Sequence, residues 1–419
     1  MLTLDNLRDE TTAILSFIEQ KWAQLTGNAR GGHRDKLASW KTLAAASTDG
    51  HLDDTDPDTP YILFLPKDFI FPGGRFVVQF YWDSYFIILS LLRGNRFELA
   101  KGMVENCLFL VEQHGMVIAN RKRWAAGSQL PFLSEMIKEV YQVSGDKLWL
   151  EKALPVLEKE YKHYWLNQDH LAYCDLSRYH APSCFPKDYI ALITLDNEAT
   201  WDLSPRFEVE DILYLLPIDL NSNLCIYERN FAYFYEQINQ EEVARLWRES
   251  AQKRLEAIND LMWDELDGLY YDYNYKFSER KKVKSLATYL PLFYGLISVS
   301  QAERLHSNLC LFEKEFGLVT CDQDYGYSDR QWNYPVGWAP LHWIVYKGLK
   351  NYGYDEDAKR IALKWLNLNY SIWEKTGSLF EKYDVVRGSH EVLTDRYKNQ
   401  EGFGWTNAVF HALTVDLTS

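Results

Sequence analysis

Two acidic residues stand apart from the 59 in this chain. Most of the others fall on amphipathic helix faces, where a solvated role is expected. Asp202 lies instead in Asn197-Glu-Ala-Thr-Trp-Asp-Leu-Ser-Pro-Arg206-Phe207, and Glu381 in Ser378-Leu-Phe-Glu-Lys-Tyr-Asp384, upstream of Gly402-Phe-Gly-Trp-Thr-Asn407. A carboxyl packed beside a tryptophan such as Trp201 is desolvated and holds its proton more tightly, as a general acid must. A second carboxyl that stays ionised can activate water. Such a pair is the minimum equipment for cleaving a glycosidic bond. Two bland readings compete at this level: Asp202 could cap a helix through Ser204-Pro205, and Glu381, Lys382 and Asp384 could form a surface charge cluster.

The elements that must position these residues are helices. Val243, Trp247, Ala251, Leu255, Ile258 and Met262 recur every three or four residues and draw one apolar stripe. Leu150, Leu154, Leu157, Tyr161 and Trp165 draw another, with Pro155 expected to open a fresh helix. Ala358, Ile361, Trp365, Leu368 and Ile372 follow Asp355, an expected N-cap, and Met103, Cys107 and Leu110 lead to Gly115, an expected stop. Long aromatic loops at 66–85, 117–133, 180–210, 317–340 and 376–407 separate the helices. Loops of such length are usually functional. The acidic stretch from Thr48 to Pro60 reads as a surface loop. No linker composition interrupts the chain, so residues 1–419 are expected to form one all-α domain.

Composition narrows the partners. A net charge of −14 without a polybasic run disfavours nucleic acid and anionic membranes. The six cysteines are scattered without metal or disulfide spacing, and the N-terminus lacks a basic head and apolar core, so a cytoplasmic location is expected. The 15 Trp and 28 Tyr suit a sugar site, since both present an apolar face with a polar tip, although they suit a large helical core as well. Neither metal nor cofactor is expected. Asp264-Glu-Leu-Asp267-Gly268 with Asp272 lacks EF-hand spacing and reads as a helix-ending turn.

Several motifs, taken in order, resemble one family. Pro72-Gly-Gly-Arg-Phe76 followed by Tyr81-Trp-Asp-Ser-Tyr85 looks like the first signature of the trehalases, glycoside hydrolase family 37. Gln331-Trp-Asn-Tyr-Pro-Val-Gly-Trp-Ala-Pro340 looks like the second. Gln129-Leu-Pro-Phe132, Trp201-Asp202, Asp219-Leu-Asn-Ser222, Glu381-Lys-Tyr-Asp384 and Gly402-Phe-Gly-Trp-Thr-Asn407 fall in the family's order, from about residue 70 to 412. The resemblance implies an (α/α)6 barrel with its pocket at one end, inversion, Asp202 as general acid and Glu381 as general base. It implies that Arg75, Phe76, Trp82, Asp83, Asn120, Gln129 and Trp332 hold the sugar being cleaved. Tyr81, Trp201, Arg206 and Trp405 complete the expected substrate-contacting set.

The departures concern the leaving-group side. The family's Arg-Pro-Glu-Ser is Ala181-Pro182-Ser183-Cys184 here, its Arg before Ser-Gln is Gly127, and its Pro-Asn is Val117-Ile118. Val78 and Asn333 replace acidic residues, and Val386–Tyr397 replaces the Gly-rich lid with its Glu. A site that loses polar partners loses discrimination for the group they held. The expected substrate is therefore a small α-glucoside, glucosylglycerol first, whose glycerol would lie near Tyr179, His180 and Arg387. Trehalose, glucosylglycerate and mannosylglycerate are the alternatives. A sugar-binding protein without turnover is the reading from another class, and any hydrolysis would discriminate against it.

Overall fold

The computed structural model describes residues 1–27, 65–76, 78–118, 127–180, 198–202, 204–208, 212–326, 331–392 and 397–419. Among the described residues, the helices that build the architecture are α1 (Thr12–Leu25), α2 (Tyr81–Arg93), α3 (Phe97–His114), α4 (Leu133–Ser144), α5 (Lys147–Glu160), α6 (Ile218–Gln237), α7 (Glu241–Met262), α8 (Leu290–Phe293), α9 (Val299–Ser307), α10 (Ala339–Asn351), α11 (Asp355–Thr376) and α12 (Gly404–Thr418). The even-numbered helices form a closed ring, α2–α4–α6–α8–α10–α12, with α12 packing back on α2. Outer helices pair with them from outside, as α3 does with α2, α7 with α6 and α11 with α10. This is an (α/α)6 barrel.

Sequence explains which helix takes which layer. Every residue of α2 from Tyr81 to Leu91 is buried, as befits a helix surrounded on all sides. On α7 burial is confined to one face, Ala244, Ala251, Arg254, Leu255, Ile258 and Met262, while the other face carries Arg–Glu pairs such as Arg245 with Glu242. Gly115 ends α3 in the left-handed region at φ 80°, and its N–H closes on the Val111 carbonyl at 2.8 Å. Two local expectations change. Pro155 lies inside α5, which then runs into a π-turn at Tyr161–Trp165. Asp355 is the first residue of α11, and joins Glu356 and Asp357 in an acidic first turn that suits the helix dipole.

Short strands brace the loops. β1 (Leu215–Leu216), β2 (Asp272–Asn274) and β3 (Glu279–Lys281) form an antiparallel sheet in that order. β4 (Val336–Trp338) pairs antiparallel with β5 (Lys382–Asp384), setting Trp338 opposite Lys382. Among the described residues no helix is long and apolar enough to cross a membrane. The Thr48–Pro60 segment lies outside the described residues.

Candidate active site

One end of the barrel opens into a pocket of about 100 Å³. Its walls come from the N-terminal sides of the inner helices. Trp82 and Asp83 sit in the first turn of α2, Trp405 in the first turn of α12, Trp338 just before α10 and Gln129 just before α4. The long loops supply Pro72, Phe76, Phe80, Thr200, Asp202, Gln331, Trp332, Glu381, Tyr397 and Phe403. Helix N-termini carry partial positive charge, which favours carboxylates placed beside them.

Asp202 and Glu381 both line this pocket. Glu381 precedes β5 and is 2% exposed; its N–H donates to the Gln400 carbonyl at 2.9 Å, and the Glu381 carbonyl accepts from Trp405 Nε1 at 2.9 Å. Lys382 and Asp384 are buried too, so these residues are not a surface cluster. Asp384 Oδ1 instead accepts the N–H groups of Val386 and Arg387, both at 2.9 Å, and holds a turn. Asp202 follows Thr200, whose φ of 64° is strained for a β-branched residue and marks a site held by its surroundings. Asp83 is a third carboxyl in the pocket. Burial pushes its pKa well above the ordinary aspartate value, the negative charges of Glu381 and Asp202 push it further, and its own backbone N–H opposes them in part.

Aromatic rings make the rest of the wall. Trp332 lies face to face with Trp338, centroids 4.0 Å and planes 3° apart, and Trp82 and Trp405 meet this stack at 5.6 and 5.7 Å. The Pro72-Gly-Gly-Arg-Phe76 motif is a tight turn closed by reciprocal Gly73–Phe76 backbone bonds at 3.1 and 3.0 Å. Gly73 and Gly74 adopt φ of 110° and 56°, which side chains rarely tolerate. The turn places Phe76 in the pocket wall. Gln129 is anchored there through its Oε1, which accepts the Tyr81 N–H at 3.0 Å.

Four expected contacts lie elsewhere. Arg206 is 1% exposed and gives its N–H groups to Asp219 (2.8 and 3.0 Å) and Asp272 (2.9 and 2.7 Å), so it is a buried ion triad and not a pocket residue. Trp201 stacks behind Trp332 at 5.2 Å without lining the pocket. The Tyr81 hydroxyl is engaged by Glu160 and Tyr227, both at 2.8 Å, in the barrel core. Arg75 is exposed, over the Tyr397 ring at 5.2 Å. Asn120, Ala181 and Ser183 lie outside the described residues. Val117 and Ile118 are buried, and neither they nor Tyr179, His180 and Arg387 line the pocket. Gly127, where the resemblance places an arginine, is buried and does not line the pocket, and among the described residues a Cβ on it would meet nothing within 4 Å.

Phe80, Thr200 and Tyr397 line the pocket without any sequence signal for a contact, whereas Gln331, Trp338 and Phe403 lie inside the motifs that carry the resemblance, which give them no role of their own. For metal binding, the described residues contain no suitable group of His, Cys, Asp and Glu. In the Asp264–Gly268 turn, the Lys282 ammonium bridges Asp264 and Asp267, where a cation would otherwise sit.

The family model described as Trehalase matches residues 36–199 and 197–416. The cytosolic neutral trehalases of Kluyveromyces lactis and Saccharomyces cerevisiae are 32% and 31% identical, over 88% and 85% of this chain. The alignments cover 58% and 57% of those proteins, so the chain spans less than three-fifths of their length. The solved neutral trehalase of Saccharomyces cerevisiae superposes with a TM-score of 0.76 at 29% identity, covering 84% of this chain and 74% of that one. A mannosylglycerate hydrolase of Thermus thermophilus shares the fold, with a TM-score of 0.63 at 20% identity over 82% of this chain and 95% of that one.

Proposed function

The chain belongs to the trehalase family, and on that premise we propose that it is an inverting glycoside hydrolase of a small neutral α-glucoside. Asp202 is the general acid that protonates the leaving oxygen, and Glu381 the general base that activates water on the opposite face. The observation that carries this reading is that both carboxyls line one tryptophan-walled pocket. Water excluded by such walls leaves the charges poorly screened, so each polar contact to the sugar counts for more. Asp83 and Gln129 are the polar groups best placed to hold the sugar hydroxyls.

The lining also bears on the leaving group. Among the described lining residues there are three carboxyls and no Lys or Arg, since Arg206 is consumed by Asp219 and Asp272. A lining without Lys or Arg gives an anionic leaving group no counter-charge, which disfavours glucosylglycerate and mannosylglycerate. The absence of the family's arginine at Gly127 favours a leaving group that asks for fewer contacts than glucose, and glucosylglycerol is the preferred substrate. Trehalose is the second reading, supported by the relatives described above. Glucose release from glucosylglycerol, trehalose, glucosylglycerate and mannosylglycerate at equal concentration tests the proposal. Turnover of the neutral pair with glucosylglycerol ahead is expected; no hydrolysis of any of the four would leave only a sugar-binding protein.

A further inference from the structure

Each oxygen of the Glu381 carboxylate already has a donor from the protein. The Tyr397 hydroxyl donates to Oε1 at 2.8 Å, and the Lys382 ammonium donates to Oε2 at 3.1 Å. Gln331 closes the ring: its Oε1 accepts from Lys382 at 2.9 Å, and its side chain is hydrogen-bonded to Tyr397. Glu381 and Gln331 are each 2% exposed and Lys382 is 0% exposed. The ammonium also lies over the rings of Tyr397 and Trp338, at 4.2 and 5.1 Å.

Fully burying a lysine is costly and rare unless it is paired. Packing alone would be served as well by a methionine, so the ammonium needs another reason to be there. A carboxylate offers about four lone-pair sites, and a general base must aim one of them at its water within a narrow cone. Asp83 and Asp202 share the pocket with Glu381, so its carboxylate has competing polar neighbours as well as the water to face. We propose that Lys382 and Tyr397 form a cradle that fixes the rotation of the Glu381 carboxylate, leaving its free lone pairs aimed into the pocket. They are positioning residues, acting through Glu381, and Gln331 holds the two donors in register. The inference rests on the reading of Glu381 as the base.

The test compares wild type with Y397F, which removes one hydroxyl, and K382M, which keeps the length of the side chain. In crystal structures the Glu381 carboxylate should be rotated or divided between two orientations in both variants. With the α-glucoside that the wild type hydrolyses, kcat should fall by about tenfold to a hundredfold while KM stays within about threefold. In an E381Q background Y397F should cost nothing further, because the group it positions is gone. An unchanged Glu381 carboxylate in both variants overturns the cradle, as does a rise in KM with kcat intact. If the wild type hydrolyses no α-glucoside, the proposed function is what falls, and the crystallographic comparison still decides the cradle.

Discussion

Arg206 lies beneath Trp201, its guanidinium carbon 4.7 Å from the ring centroid, while its N–H groups are held by Asp219 at the start of α6 and Asp272 in β2. Trp201 in turn backs Trp332, so the floor of the pocket rests on a buried ion triad. Removing the arginine would strand two buried carboxylates. Arg206→Met is therefore expected to lower unfolding free energy by about 3–5 kcal/mol in a denaturant titration. A loss under 1 kcal/mol, the value of an exposed pair, would mean that the triad is not what holds this region.

The assignment of the two acids predicts that Asp202→Asn and Glu381→Gln each lower kcat by at least about a thousandfold, a barrier increase of about 4 kcal/mol. Circular dichroism should show both variants folded. Either variant retaining a tenth of wild-type turnover would remove that residue from its role.

Inversion has a direct readout. Proton NMR of the first minutes of reaction should show β-glucose appearing before mutarotation, because water attacks from the face opposite the leaving group. α-Glucose as the first product would require a covalent glycosyl intermediate instead.

Glu160 is the group through which pH should act on stability. It is buried among helices, accepts hydrogen bonds from Tyr81 and Tyr227 at 2.8 and 2.9 Å, and burial raises its pKa to about 7 against those two bonds. Because the folded value exceeds the unfolded one, its contribution is full below about pH 4.5 and is lost as pH rises through about 7. The loss amounts to about 3 kcal/mol on this shift. Glu160→Gln should flatten the pH dependence of Tm across that window, and a variant whose Tm falls with pH as steeply as wild type would exclude Glu160 as its source.

Gly127 stands where the family resemblance places an arginine, and that difference bears on substrate choice. Gly127→Arg should raise kcat/KM for trehalose relative to glucosylglycerol by about tenfold, the worth of one hydrogen bond to a charged group. An unchanged ratio would show that this position does not serve the leaving group.

The sequence by itself determined the helices and the loops that matter. The stripes on α7 and α11 report burial through a local period of 3.6, and Gly115 ends α3 through its own φ, so neither needs distant residues. Asp202 and Glu381 stood out because their neighbours are aromatic and glycine-rich, a property also written locally. What only the tertiary structure decided is which polar side chains remain available to a ligand. Arg206 looks like a sugar-binding arginine until Asp219 and Asp272 engage all three of its nitrogens, and Tyr81 looks like a wall residue until Glu160 and Tyr227 take its hydroxyl. Lys382 looks exposed until β4 and Tyr397 cover it. A buried polar group must find partners, and those partners come from other helices and strands far along the chain, so no local pattern can announce them.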